Sequence, residues 1–252
     1  MTAAPEPTVD ASVDRSRPAL DPVAVAAFLT NLSHVLRSPV AIVSGAIAEL
    51  RADAGKVPAG EQLLLVDLAD RGLLRLVRIA DTVSLLAAAS SGAITLSRQS
   101  LDLVEVARAA MARAARVEPR REVEMLWDLP QAPCPVLGDE ARLGHAIGEI
   151  MINAIRHARG RARLVLAVTP GLACVAIEDD GRGVSAQARA SLFQRFAYDA
   201  AGAGLGMGLS LAHDVVVQHG GSLSLEPSTL PPGRPGTVGA RFVIALPVAG
   251  QA

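Results

Sequence analysis

The run Glu149-Ile-Met-Ile-Asn153-Ala-Ile-Arg156-His157 places Glu149, Asn153 and the pair Arg156/His157 at i, i+4 and i+7/i+8, on one face of a helix. Ile147, Ile150 and Met151 are then free to face a core. A carboxamide oxygen is a hard ligand suited to Mg²⁺, which keeps several waters and takes the rest of its shell from phosphates. Further on, Ile177-Glu-Asp-Asp180-Gly181-Arg-Gly183-Val184 leads from a strand-like run into a carboxylate and two glycines. An aspartate can accept a hydrogen bond from an exocyclic amine such as adenine N6, and glycines let backbone approach a flat ligand. A third segment, Gly202-Ala-Gly204-Leu205-Gly206-Met-Gly208-Leu209-Ser210, stands immediately before a helical pattern. Its alternate glycines expose N–H groups, and the helix N-terminus adds partial positive charge, which suits a phosphate. The preceding residues, Phe196 to Ala201, do not alternate like a strand, so a dinucleotide fingerprint fails its context. Taken singly, these segments also read as a solvated helix face, a turn and a loop. Their order is the stronger signal.

One residue of the N-terminal half has a different kind of chemistry. In Leu29 to Leu50, apolar residues fall at Leu29, Leu32, Leu36, Val40, Val43, Ile47 and Leu50, as one buried helical stripe requires. At roughly 100° per residue they cluster within about 80° of the helix surface, and His34 points about 160° from their centre. An outward neutral imidazole is a competent nucleophile near pH 7. Pro39 lies a turn beyond it and should bend the helix.

These residues need two kinds of scaffold. Asp21-Pro22 makes a helix start, and the first helix is expected to run to Ala52. A second, from Glu61 to Ala89, repeats Val66, Ala69, Leu73, Leu76, Ala80, Val83 and Ala87 at steps of three and four, widened by Leu65, Leu68, Ile79 and Leu86. The pair makes a hairpin whose stripe is too wide for one hairpin to cover, so a homodimeric four-helix bundle is expected. Past residue 100 the pattern changes: helices over 103–116, 140–158 and 209–219, and strands over 122–129, 163–168, 173–177, 222–225 and 240–246. That order implies an α+β chain whose second part is a two-layer α/β sandwich. The expected divisions are a tail at 1–21, a hairpin domain at 22–90, a linker at 91–100 and a nucleotide-binding domain at 101–250.

Composition narrows the classes. Of 252 residues, 50% are hydrophobic but only 2% aromatic, which points to a Leu/Val/Ile/Ala core. The net charge of -1 gives no footing for a nucleic-acid surface. The two cysteines, Cys134 and Cys174, have no metal-type spacing and read as reduced thiols. No apolar run is long enough to span a bilayer and no signal peptide is apparent, so a cytoplasmic location is expected.

With Phe193, Phe196 and Gln218-His-Gly-Gly221 added in order, the chain from about Phe28 to Val248 resembles the catalytic core of the sensor histidine kinases. The family's H-box resembles Ser33-His34-Val35-Leu36-Arg37-Ser38-Pro39. Its N-box resembles Glu149 to His157, its first glycine box Asp180-Gly-Arg-Gly183 and its second Gly204 to Leu209. The resemblance implies a GHKL-type (Bergerat) ATP site. ATP would be held by Asp180 on adenine, by Arg156, and by Gly181, Gly183, Gly204, Leu205, Gly206, Gly208 and Leu209. Asn153 would bind Mg²⁺, with Glu149 a second candidate ligand. His34 would accept the γ-phosphoryl group and pass it to an aspartate on a response-regulator receiver domain.

The departures are informative. The family's acidic residue after the phosphoacceptor is Val35 here, which cannot act as a base; this also touches the phosphatase direction, together with Ser38. Glu149 stands where Asn is more usual. Asp199 lies where some relatives carry a basic residue, and Arg195 is a substitute. Val35 keeps an alternative open, a non-catalytic relay or docking module. An anti-sigma-type serine kinase is disfavoured by the hairpin, and a GHL-type ATPase by the lack of a transducer domain. No sensor domain is evident before the first helix, so either a separate sensor protein delivers the signal or the chain is a soluble relay component.

Overall fold

The computed structural model describes residues 22–52, 58–90, 95–195 and 205–248. Two long helices come first, α1 (Pro22–Ala52) and α2 (Ala59–Ser90), packed as a hairpin. Pro39 stays inside α1 and is buried. Opposite it, α2 carries Gly72, where a Cβ would come within 2.6 Å of Val43 Cγ2 and 3.2 Å of the Pro39 carbonyl. The two helices therefore lie in close contact beside Pro39. Phe28, Ile79, Leu85 and Leu86 are buried in the hairpin. Much of the expected stripe is not: Leu29, Val40, Ile47, Val66 and Leu73 are exposed in the single chain.

The rest of the chain is a five-stranded sheet with helices on one face. Strands β2 (Glu124–Asp128), β4 (Arg161–Thr169), β5 (Leu172–Asp179), β6 (Ser222–Pro227) and β7 (Ala240–Pro247) are ordered β2-β4-β5-β7-β6. β2 runs parallel to β4, and the other pairs are antiparallel. Side chains alternate as a one-sided sheet requires. Ala162, Leu164 and Leu166, Ala173, Val175 and Ile177, and Phe242, Ile244 and Leu246 point inward and are buried. The other face carries ion pairs, Arg163–Glu178 and Arg241–Glu226.

Helices α3 (Leu103–Val117), α4 (Glu140–His157) and α6 (Gly208–Gln218) cover the inner face, and α5 (Ala186–Arg189) is a single turn. The expected two-layer sandwich is what forms. Each long element lies within a few residues of its expected place. A second, two-stranded sheet was not foreseen: β1 (Gln99–Asp102) pairs with β3 (Pro135–Gly138), so strand structure begins inside the expected linker. Both strands are four residues long, too short for alternation to stand out. The expected tail at 1–21 lies outside the described residues.

Candidate nucleotide site

Asp139 caps α4, its Oδ1 accepting the Arg142 N–H at 3.0 Å. Leu143, Ile147, Ile150, Met151 and Ile155 are completely or almost completely buried on one side of that helix. Burying each is worth about 1.5–3 kcal/mol, so the apolar side fixes the rotation of α4. Asn153 is then half-buried on another side, one turn from Glu149. His157 is exposed at the last turn. Arg156 is half-buried, and its Nη2 donates to Glu118 Oε2 at 3.0 Å.

At the end of β5 the two neighbouring aspartates part company. By strand alternation Asp179 continues the inward row of Ala173, Val175 and Ile177, beneath the helices. Its Oδ1 accepts the Gly181 N–H at 2.8 Å. Burial pushes its carboxyl up to about 6; the N–H groups of Gly181 and Ala240 oppose that rise, and the Asp180 and Glu178 charges add to it. Asp180 is committed elsewhere. Its Oδ1 accepts the Arg159 and Gly160 N–H groups at 2.8 and 3.0 Å, and its carbonyl accepts the Gly233 N–H. Burial works against the Asp180 charge, but these donors hold its carboxyl below the usual range. The Asp180 carboxylate, expected on adenine, thus ties the α4–β4 turn together. Its neighbour Asp179 is the carboxylate that the period of two along β5 turns inward.

The glycines frame the same end of the sandwich. Gly183 has φ +69, and a Cβ there would collide with the Val238 carbonyl. Gly208 is the first residue of α6, and a Cβ on it would overlap the Glu149 carboxylate. The glycine turn and the Asn153 helix thus meet backbone to side chain. Gly181 and Leu205 are buried, and Gly206 and Leu209 half-buried. Gly204, Phe196 and Asp199 lie outside the described residues.

The segment before the turn is tied to α6. The Phe193 ring stacks on His213 at 5.2 Å, and Arg195 pairs with Asp214 at 2.8 Å. Arg195 is thus held by α6 itself. At the far end of α6, His219 Nε2 accepts the Asp139 N–H at 2.9 Å while Nδ1 donates to the Val215 carbonyl at 2.7 Å. That arrangement fixes a neutral tautomer, and burial lowers the imidazole's pKa. A cavity of about 350 Å³ opens beside the last turn of α4, lined by Arg120, Arg156, His157, Ala158, Arg159 and Arg182.

Glu149 was expected on the site face with a metal-linked role. It is 3% exposed, and Arg78 of α2 holds both of its oxygens. Burial works against its charge, but Arg78 more than offsets this and keeps the carboxyl below its usual range. His34 is exposed on α1 as expected, and its neighbour Val35 is half-buried against the core.

Residues 138–250 match the sequence profile of the family described as histidine kinase-, DNA gyrase B- and HSP90-like ATPase. The chain is 29% identical over 210 residues to the sensor histidine kinase TrcS of Mycobacterium tuberculosis, covering 79% of this chain and 40% of TrcS. It is 27% identical over 234 residues to the sensor histidine kinase ZraS of Klebsiella oxytoca, covering 91% of this chain and 47% of ZraS. Among solved structures, the mycobacterial sensor histidine kinase MprB superposes with a TM-score of 0.52 at 28% identity, over 60% of this chain and 98% of that one. The chain carries a histidine kinase catalytic core. It spans less than half the length of those two curated relatives. The fold of this kinase core is also shared with full-length ShkA, crystallised with AMPPNP, at a TM-score of 0.55 and 23% identity over 89% of this chain and 46% of ShkA. The ATPase profile begins at Gly138, one residue before the Asp139 cap, so it contains α4, the β5 aspartates and the glycine turn. Among the described residues, no helix of the kinase core is long and apolar enough to cross a membrane.

Proposed function

We propose that the chain is an ATP-dependent protein-histidine kinase of two-component signalling. His34 takes the γ-phosphoryl group of ATP and hands it to an aspartate of a response-regulator receiver domain. The observation that carries this reading is the pairing, within one chain, of an exposed imidazole on a helical hairpin with an ATPase-type layer. In that layer Asn153, Asp179 and the Gly206–Gly208 turn gather at one end.

Each residue has a task that follows from its surroundings. Asp179, ionised above pH about 6, accepts the adenine N6 hydrogen, while the Gly181 N–H steadies its other lone pairs. The glycine turn brings backbone N–H groups and the start of α6 to the phosphates. The donor set fits a magnesium ion: Asn153 offers a hard amide oxygen, and Glu149 offers a carboxylate one turn away. When bound, magnesium would neutralise phosphate charge. An imidazole nitrogen of His34 attacks the γ-phosphorus in line, the bond to the β–γ bridging oxygen breaks, and ADP leaves with that electron pair. The imidazole proton goes to solvent, because Val35 has no group to take it. Two such chains would pair through the exposed row of Leu29, Val40, Ile47, Val66 and Leu73 into a four-helix bundle.

The test is chemical. After incubation with Mg-ATP, the protein should carry acid-labile, alkali-stable phosphate that is absent in His34→Ala. Unlabelled protein at saturating ATP would overturn the kinase reading. The second reading, a relay or docking module, is favoured by Val35 alone; it predicts labelling of His34 from a phosphorylated receiver but not from ATP.

A further inference from the structure

The guanidinium of Arg78 crosses from the hairpin to the ATPase layer. Its Nε meets Glu149 Oε1 at 2.5 Å and its Nη2 meets Oε2 at 2.8 Å. One nearly buried carboxylate thus joins three elements: α2 through Arg78, α4 through its own backbone, and α6 through the Gly208 backbone on which it rests. The same seam carries two further contacts. Arg75 Nε donates to the Val117 carbonyl at 3.0 Å, and Arg116 pairs with Asp70 at the solvent edge. Those two lie away from Glu149 and the Gly208 backbone. Arg78 is the guanidinium that holds Glu149, and Glu149 in turn lies against Gly208.

A desolvated carboxylate held by both oxygens cannot lose its cation cheaply. Undocking the hairpin would strip Glu149 of its largest compensating charge unless another cation took its place. The proposed nucleotide site supplies one, since Asn153 is a single turn along the same helix. Both of the carboxylate's oxygens are engaged by Arg78, and magnesium needs at least one of them. A magnesium ion drawn to Glu149 therefore competes with the Arg78 fork for the same carboxylate.

We propose that Arg78 and the magnesium carried with the nucleotide contend for Glu149, so that nucleotide loading unlatches the hairpin from the ATPase layer. This rests on α4 and the glycine turn being the nucleotide site. The latch keeps the hairpin, and with it His34, in one docked posture until ATP arrives. Coupling of this kind is reciprocal. Anything that pulls α2 away raises nucleotide affinity by the same factor, so a twist applied to the hairpin would gate ATP entry.

The experiment uses the full chain with Mg-ADP and a non-hydrolysable ATP analogue, each also in EDTA. Equilibrium affinity is one readout. The other is amide hydrogen exchange over residues 114–121, the stretch that α2 covers through Arg75 and Val117. In the wild type, Mg-nucleotide should speed exchange there. In Arg78→Gln, exchange should be fast without nucleotide, and Mg-nucleotide should bind at least about fivefold more tightly, while affinity in EDTA stays near wild type. Arg78→Lys, with the charge but no fork, should fall between, and it keeps the test open if Arg78→Gln folds poorly. A wild type that binds Mg-nucleotide with unchanged exchange, together with an Arg78→Gln of wild-type affinity, would overturn the latch and leave the nucleotide site standing. Absence of nucleotide binding in every variant would instead bring down the site itself, and the latch with it.

Discussion

Asparagine at position 179 should make the protein more stable at neutral pH while depriving it of nucleotide. The Asp179 carboxyl is buried beneath α4 and α6 and is raised from 3.8 to about 6. A rise of that size corresponds to about 3 kcal/mol of preference for the neutral form. The folded pKa lies above the unfolded one, so the stability is fully present below pH 3.8 and is lost as pH rises through about 6. Asp179→Asn should therefore match the wild type near pH 4 and exceed it by up to about 3 kcal/mol at pH 7. Asp180→Ala should do the reverse. It takes the acceptor from the Arg159 and Gly160 N–H groups, at a cost of about 2–4 kcal/mol, without touching the inward row of β5. Urea unfolding from pH 4 to 8 measures the first quantity, and titration with a fluorescent ATP analogue the second. An Asp179→Asn protein that is less stable at pH 7, or that still binds nucleotide like the wild type, would refute the reasoning from strand alternation.

Val35→Glu restores a carboxylate beside His34, and autophosphorylation measured by acid-labile label should rise on the order of 10²–10⁴-fold; an unchanged rate would show that a missing base is not what limits transfer. His219 is locked neutral by the Asp139 N–H and the Val215 carbonyl, with its pKa lowered by burial. Its contribution to stability should be complete above pH 6.5 and fall as pH drops below that value, and this slope in unfolding free energy should flatten in His219→Gln. Gly72→Leu forces a side chain into Val43 and the Pro39 carbonyl and should cost about 1–3 kcal/mol, seen as a lower thermal midpoint; wild-type stability would mean that α1 and α2 do not meet there.

Much of this architecture can be read along the chain. The spacing of Leu143, Ile147, Ile150 and Ile155 sets one buried side of α4, and that periodicity alone places Asn153 and Glu149 on another. His34 points outward for the same reason. Alternation in β4 and β5, and the Asp139 and Pro22 helix starts, are local properties of sequence. What sequence left open are matters of long-range partnership. Asp179 and Asp180 are chemically identical neighbours; only the sheet's orientation under the helices separates one from the other. The four-residue β1 and β3 exist because each finds the other across more than thirty residues, a pairing no local pattern records. Glu149 reads from sequence as a residue of the site face, and nothing near it in the chain names Arg78 as its partner. It is the docking of hairpin on sandwich that removes their water and makes each the other's counter-ion, because desolvation is a property of the whole surface that closes over a group and not of the residues beside it in sequence.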